Sequence, residues 1–299
     1  MSDTPDDARL GLGSVQWGQR YGIANTAGQP SSDDVAQIIR IAGAAGVHTI
    51  DTARDYGTSE ALIGALIPRD GWRIVTKLTA RLPASSPDDA VAAASASVTD
   101  SQLALGESVL DTLLLHRFEH MTDWNGAVWR ALVAMRADGR IHHLGISALG
   151  PDEAWRALER PDVDVIQVAS NLFDQRLARG GFFEAAIAAG KEVFVRSVFL
   201  QGVAHLHPDQ LPSHLLELRE PLVQIREFAT SRGWQSFAPF LYFAYGTPGA
   251  GVLIGAESVA QVRQCLAEWR HAPERAAAVS ELAAQIPAPP ERVLNPWQW

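Results

Sequence analysis

The sequence has 299 residues, of which 47% are hydrophobic and 20% charged, and a formal net charge of −9. That length suits one α/β barrel of about 250 residues or two smaller domains, and the acidic balance, with no Lys/Arg-rich run, disfavours a nucleic-acid partner. Cys265 is the only cysteine, which excludes an intrachain disulfide and a thiolate zinc site.

The opening MSDTPDDARL is acidic and polar and does not read as a secretory signal. No stretch approaches the ~20 apolar residues of a membrane span, so no membrane partner is expected and the expected location is the cytoplasm. Short apolar runs then alternate with amphipathic stretches. LGLGSV (10–15) precedes a helical stretch over Ser31–Ala45, whose Asp33 and Asp34 favour the helix dipole and which Gly46 stops. HTID (48–51) precedes Ser59–Ile67, RIVTK (73–77) precedes Asp88–Leu105, and VLDTLLLH (109–116) precedes Asn125–Asp138. IHHLGIS (141–147) precedes Asp152–Leu158, VDVIQVA (163–169) precedes Gly181–Ala189, EVFVRS (192–197) precedes Pro221–Gly233, and GVLIG (251–255) precedes Ser258–Trp269. Several runs lack polar/apolar alternation, as parallel strands buried on both faces do. Eight such pairs predict an α/β fold of the (β/α)8 TIM-barrel type, with a doubly wound open sheet as the competing arrangement. The expected organisation is one domain over 1–299 with a C-terminal loop or tail over about 271–299, where Pro287, Pro289 and Pro290 exclude a helix.

In a barrel, function collects at the C-terminal strand ends. Asp51 closes the second run, Tyr56 follows in its loop, Lys77 closes the third run and His116 the fourth. A phenol titrates near ~10, too high to exchange a proton readily at neutral pH. A neighbouring ammonium is expected to lower it, and a carboxylate paired to that ammonium holds it charged and in place. A histidine beside the phenol can give a hydrogen bond to a substrate oxygen or share the proton. Taken singly, Asp51 and Lys77 read as a structural ion pair, His116 as a satisfied polar residue and Tyr56 as a loop aromatic. Their joint placement favours Tyr56 as an acid toward a carbonyl oxygen.

The stretch HTIDTARDYGTSEALIG, with Asp and Tyr five apart, resembles the second-strand signature of the aldo-keto reductases; IVTKL and LLLHRF resemble the strands carrying that family's lysine and histidine. The resemblance runs from LGLGSVQWG to VLIGAESVAQV. It implies a barrel that binds NADPH or NADH without a Rossmann fold, and GLGSVQWG is indeed no GxGxxG fingerprint. It further implies cofactor contacts at Ser14, at Ser147 and Gln167 for the nicotinamide carboxamide, and at Ser197, Phe199, Leu200 and Gly202 around the pyrophosphate. Gly255, Ala256, Glu257, Gln261 and Gln264 would surround the adenine ribose. Three positions depart from the family pattern: Ala148 replaces an Asn; Arg196 replaces the aromatic that commonly stacks on the nicotinamide; and Glu257, in a segment without the Lys or Arg that usually pairs with the 2′-phosphate of NADP, opposes that phosphate, leaving Arg263 as the one cation of the segment that could reach it, or else a solvated surface residue. Arg196 has two open roles, stacking on the ring or recruiting an anionic substrate.

Trp17, Tyr21, Phe118, Trp124, Phe173, Trp297 and Trp299 follow or flank strand ends and are candidate substrate-pocket walls beside Tyr56 and His116; pinned flank aromatics are the alternative. The leading expectation is NAD(P)H-dependent reduction of a small aldehyde or ketone, including a sugar-derived one. The alternatives are a cofactor-binding accessory barrel with little turnover and a nicotinamide-using epimerase or elimination enzyme.

Overall fold

Eight parallel strands, each hydrogen-bonded to its neighbours in sequence order and the last to the first, form a closed barrel. In the computed structural model, residues 9–68, 70–296 and 299 are described. The strands are β1 (Leu10–Gly13), β2 (Thr49–Asp51), β3 (Arg73–Lys77), β4 (Leu110–Leu115), β5 (Ile141–Ser147), β6 (Val165–Ala169), β7 (Glu192–Arg196) and β8 (Ala250–Gly255). Each expected run contains one, and no open sheet forms. Closure explains the apolar runs: one face of every strand lines the barrel interior and the other packs under the helices.

Alternation along the strands sorts the interior into layers. Val75, Leu114, Val165, Phe194 and Leu253, one each from β3, β4, β6, β7 and β8, pack together as the middle plug. Two residues toward the N-terminal end, the same faces carry Arg73, Thr112 and Glu192, which join in one cluster. Two residues toward the C-terminal end they carry Lys77, Gln167, Arg196 and Gly255. The sequence thus delivers its polar residues to both ends of an apolar plug.

The helices occupy the stretches expected, with ends shifted by a few residues. Ser32–Ala44 is capped by the Ser31 side chain, which accepts from the Asp34 N–H, and Pro87–Leu105 is capped in the same way by Ser86. Asp123–Ala137 contains left-handed Trp124, Asn125 and Gly126, so its regular part starts after them. Two helices depart from the expected pattern. Ala238–Tyr245 lies between β7 and β8, and Ala272–Gln285 occupies half of the tail expected to be loop. The latter has Pro273 at its first turn, where a proline fits because that N–H has no intrahelical partner, followed by an alanine-rich run. Even after Pro290 a helical turn, Glu291–Leu294, forms. Among the described residues no helix is long and apolar enough to cross a membrane.

Candidate active site

At the C-terminal rim, Lys77 Nζ donates to Asp51 Oδ1 at 2.6 Å and to the Thr52 carbonyl at 2.8 Å. Gln167 Nε2 donates to the same Asp51 oxygen at 2.6 Å, and Ser147 Oγ donates to Gln167 Oε1 at 3.0 Å. Strands β2, β3, β5 and β6 are thereby tied into one buried polar chain. Removing one member would leave a buried charge or amide unmet, so the chain is rigid by necessity. Tyr56 stands over it, with Lys77 Nζ 5.1 Å from its ring centroid. His116 packs edge-on against Tyr56, ring centroids 5.8 Å apart. Asp51, Tyr56, Lys77 and His116 therefore meet, as expected.

The placement of Tyr56 depends on two glycines. The turn Val15–Gly18 passes so close beneath the Tyr56 loop that a Cβ on Gly18 would lie 1.7 Å from the Tyr56 carbonyl oxygen. Gly57, at φ +56°, would collide in the same way with the Gly18 carbonyl, 2.3 Å away. Only glycine at both positions lets the two loops touch. Ser59 fastens the arrangement from below, its hydroxyl donating to Ser14 Oγ at 2.7 Å.

Asp55, one residue before the tyrosine, is a site residue that sequence reasoning missed. It accepts from Thr79 Oγ1 at 2.8 Å and from the Ala80 N–H at 2.6 Å, which fixes its carboxylate in the loop after β3. Its Oδ2 lies 3.6 Å from His116 Nδ1, too long for a hydrogen bond but close enough for charge attraction. Burial opposes ionisation of Asp55, yet His116, Ala80 and Thr79 outweigh it and hold its carboxyl down at about 2. Burial lowers the His116 imidazole below its ordinary value; Asp55 opposes this, and Lys77 and Arg196 reinforce it. His116 is thus neutral at pH 7.

Tyr56 corrects an expectation. Burial raises its phenol above the ordinary value, Asp51 and Asp55 push it further, and Arg196 opposes them. The phenol is not lowered, because the Lys77 charge is spent on Asp51, and the tyrosine keeps its proton. Burial lowers the Lys77 ammonium, and Asp51 counteracts this.

A cavity of about 640 Å³ runs from this rim to the start of the helix Val259–Trp269. Its size suits a small-molecule or cofactor site. Ser14, Tyr21, Asp51, Tyr56, His116 and Ser147 line one part of it. Arg196, Ser197, Phe199 and Gly202 follow, and then Gly255, Glu257, Gln261 and Gln264. The loop after β7 borders the cavity with left-handed backbone at Ser197, Leu200, Gln201 and Gly202, a cost that persists only where tertiary contacts impose it. Gln16, Gln201, His205 and Phe237 also line it and were not foreseen. The last two stack with Phe199, His205 lying 4.9 Å from each ring. Three buried polar atoms in this lining have no hydrogen-bond partner: Gln16 Oε1, His116 Nδ1 and Arg196 Nε. These atoms are themselves sealed from the cavity; what the lining offers a polar ligand is the set of hydroxyls and amides at Ser14, Ser147, Ser197, Gln261 and Gln264. An elongated ligand with an amide, hydroxyls and a base, such as a nicotinamide dinucleotide, fits these donors and the aromatic group.

Other expected site residues lie elsewhere. Trp17 is fully buried, its Nε1 donating to the Ala256 carbonyl at 3.1 Å, so neither Trp17 nor Ala256 faces the cavity. Leu200 is buried in the hydrophobic core and does not line the cavity. Gln167 lies behind Ser147 with both ends of its amide engaged, so it supports Asp51 instead of presenting a free carboxamide. Phe118 is buried beneath the Arg156 guanidinium, Phe173 packs on Phe240, and Trp124 packs near His120. Trp299 lines a separate shallow hollow with His214 and Arg292. Trp297 lies outside the described residues. Among the described residues of the tail, Pro296 reaches the cavity.

Comparison with known proteins agrees with this geometry. The model of the Aldo/keto reductase family matches residues 9–284. A D-threo-aldose 1-dehydrogenase from a Pseudomonas species is 33% identical over 202 residues, 56% of this chain and 61% of that protein; the match thus spans about three-fifths of the relative. The glycerol dehydrogenase from Gluconobacter oxydans superposes with a TM-score of 0.71 at 19% identity, over 97% of this chain and 98% of that one. An aldo-keto reductase from Klebsiella pneumoniae, solved in complex with NADPH, gives 0.66 at 21% identity, over 96% and 93%. At such identities these structures speak to the fold.

Proposed function

This chain belongs to the aldo/keto reductase family, and from that premise we propose that it reduces an aldehyde or ketone with NADPH or NADH, Tyr56 giving the proton. One observation carries this reading: Tyr56 holds its proton in a cavity wall, above a buried Lys77–Asp51 pair and beside His116. The reduced nicotinamide, when bound, supplies a hydride to the carbonyl carbon. Tyr56 Oη donates its proton to the carbonyl oxygen as negative charge gathers there. The raised phenol pKa keeps the acid loaded across the neutral range but makes it a weak donor, so the proton moves only as hydride arrival turns the carbonyl oxygen into a strongly basic alkoxide. Arg196 is the charge that favours the phenolate left behind, and Asp51, Gln167 and Thr52 keep the Lys77 ammonium in place beneath the ring. Ser14, Ser147, Ser197, Gln16 and Gln261 are the hydroxyls and amides that would hold the dinucleotide. Glu257, whose Oε2 accepts from Gln261 Nε2 at 3.2 Å, favours a free ribose diol over a 2′-phosphate.

The reverse reaction on a sugar-like hydroxyl is the second reading, and Asp55 favours it. A carboxylate beside Nδ1 selects the tautomer with its proton there, which makes Nε2 of neutral His116 an acceptor suited to an alcohol hydrogen. The 33%-identical relative is named for oxidation of an aldose.

Tyr56→Phe tests the assignment. Turnover of a carbonyl panel should fall by roughly 10²–10⁴-fold, while dinucleotide binding, followed by quenching of tryptophan fluorescence, stays unchanged. Wild-type turnover in the variant would remove Tyr56 from the mechanism. Dinucleotide binding by the wild-type protein with no turnover in either direction would mark an accessory barrel.

A further inference from the structure

Arg196 ends β7 two residues after Phe194, so strand alternation sends both side chains into the barrel, one into the plug and the other to the rim. Arg196 Nη2 donates to the Ala148 carbonyl at 2.9 Å and Nη1 to Ser197 Oγ at 3.2 Å. Both acceptors are neutral. No carboxylate among the described residues lies within ion-pair distance of this guanidinium. Asp51 is committed to Lys77, and Glu257, on the β8 side of the cavity, is engaged by Gln261. Asp55, ionised beside the neutral His116, is the nearby anion but lies outside the cavity lining, so within that lining Arg196 is a cation with no carboxylate paired to it. That charge sits near the reacting groups, since it acts on Tyr21, Tyr56, Lys77 and His116.

We infer that Arg196 is a specificity residue that pairs with an anionic group on the substrate, a carboxylate carried by the aldehyde or ketone itself. The fork of a guanidinium suits a carboxylate, and its plane is already fixed by Ala148 and Ser197. In a partly buried site an unpaired cation attracts an anion more strongly than in bulk water, and an anionic substrate would neutralise it. The dinucleotide phosphates are poorer candidates. The reactive ring must lie at Tyr56, and the phosphates lie a ribose further away, whereas Arg196 neighbours the reacting groups themselves. This inference rests on the carbonyl-reductase reading above.

The test compares matched carbonyls, 4-carboxybenzaldehyde against 4-methylbenzaldehyde, in wild type, Arg196→Met and Arg196→Lys, with dinucleotide affinity measured alongside. Wild type should favour the carboxylate by roughly tenfold or more in kcat/KM, mostly through KM. Arg196→Met should erase that preference while dinucleotide affinity is retained, any change in kcat that follows from withdrawing its charge from Tyr56 and His116 being common to both aldehydes, and Arg196→Lys should restore part of the preference. Equal use of both aldehydes by wild type overturns the assignment but leaves the reductase reading intact. Equal loss for both aldehydes in Arg196→Met with the preference intact, or weakened dinucleotide binding, also overturns it and makes Arg196 a cofactor contact. If wild type turns over neither aldehyde, nor any other carbonyl, the reductase reading fails and takes this inference with it.

Discussion

Strand β3 carries a cation at each end, Arg73 at the floor of the barrel and Lys77 at the rim, with Val75 between them in the apolar plug. Arg73 Nε donates to Asp111 at 3.0 Å and Nη2 to Glu192 at 2.7 Å, and its guanidinium lies over the Phe194 ring. Its ion-pair partners are substantially exposed. Lys77 is fully buried on a single carboxylate, and around it Gln16, His116 and Arg196 keep unmet polar atoms. The floor is satisfied and half-solvated, as a group serving stability should be. The rim pair is buried instead, beneath a cavity lined by titratable and polar groups, as a group serving a ligand should be.

The sharpest way to break the comparison is to remove each cation. Lys77→Met leaves Asp51 buried and unpaired, so stability to urea should fall by about 3–5 kcal/mol and turnover should vanish. Arg73→Met should cost about 1–2 kcal/mol and leave kcat unchanged. A large fall in kcat for Arg73→Met would show that floor and rim are not separate in function.

The smallest expected effect belongs to Asp55→Asn, which sharpens the account of the rim. The Asp55 carboxyl sits at about 2 against an ordinary 3.8, so its contribution to stability is present above pH 4 and disappears as pH falls toward 2. The variant should therefore lose less stability than wild type across that window in urea titrations at stepped pH. Because Asp55 supports the protonated imidazole, the His116 limb of a kcat–pH profile should move to lower pH in Asp55→Asn. A profile superimposable on wild type would reduce Asp55 to a loop anchor for Thr79 and Ala80.

What the sequence by itself determined was whatever repeats along a strand or follows from its end. Parallel strands buried on both faces read as apolar runs, and their last residues stand at one rim, so Asp51, Lys77 and His116 could be grouped before any contact was known. Tyr56 joined them through its short loop. The two helices that depart from the expected pattern had local signals as well, an aromatic-rich run after Pro239 and an alanine-rich run after Pro273. The tertiary structure alone decided which loop side chains face the cavity. Loops have no period, so Trp17 and Phe118 turned inward to the core, while Phe237, more than a hundred residues away from Phe118 in sequence, reached the ligand side. It also decided the proton state of Tyr56, because burial and two nearby carboxylates outweigh the charge of Arg196. Arg196 was visible as a departure from a family pattern, but that no carboxylate among the described residues pairs with it emerged only once the barrel closed around it.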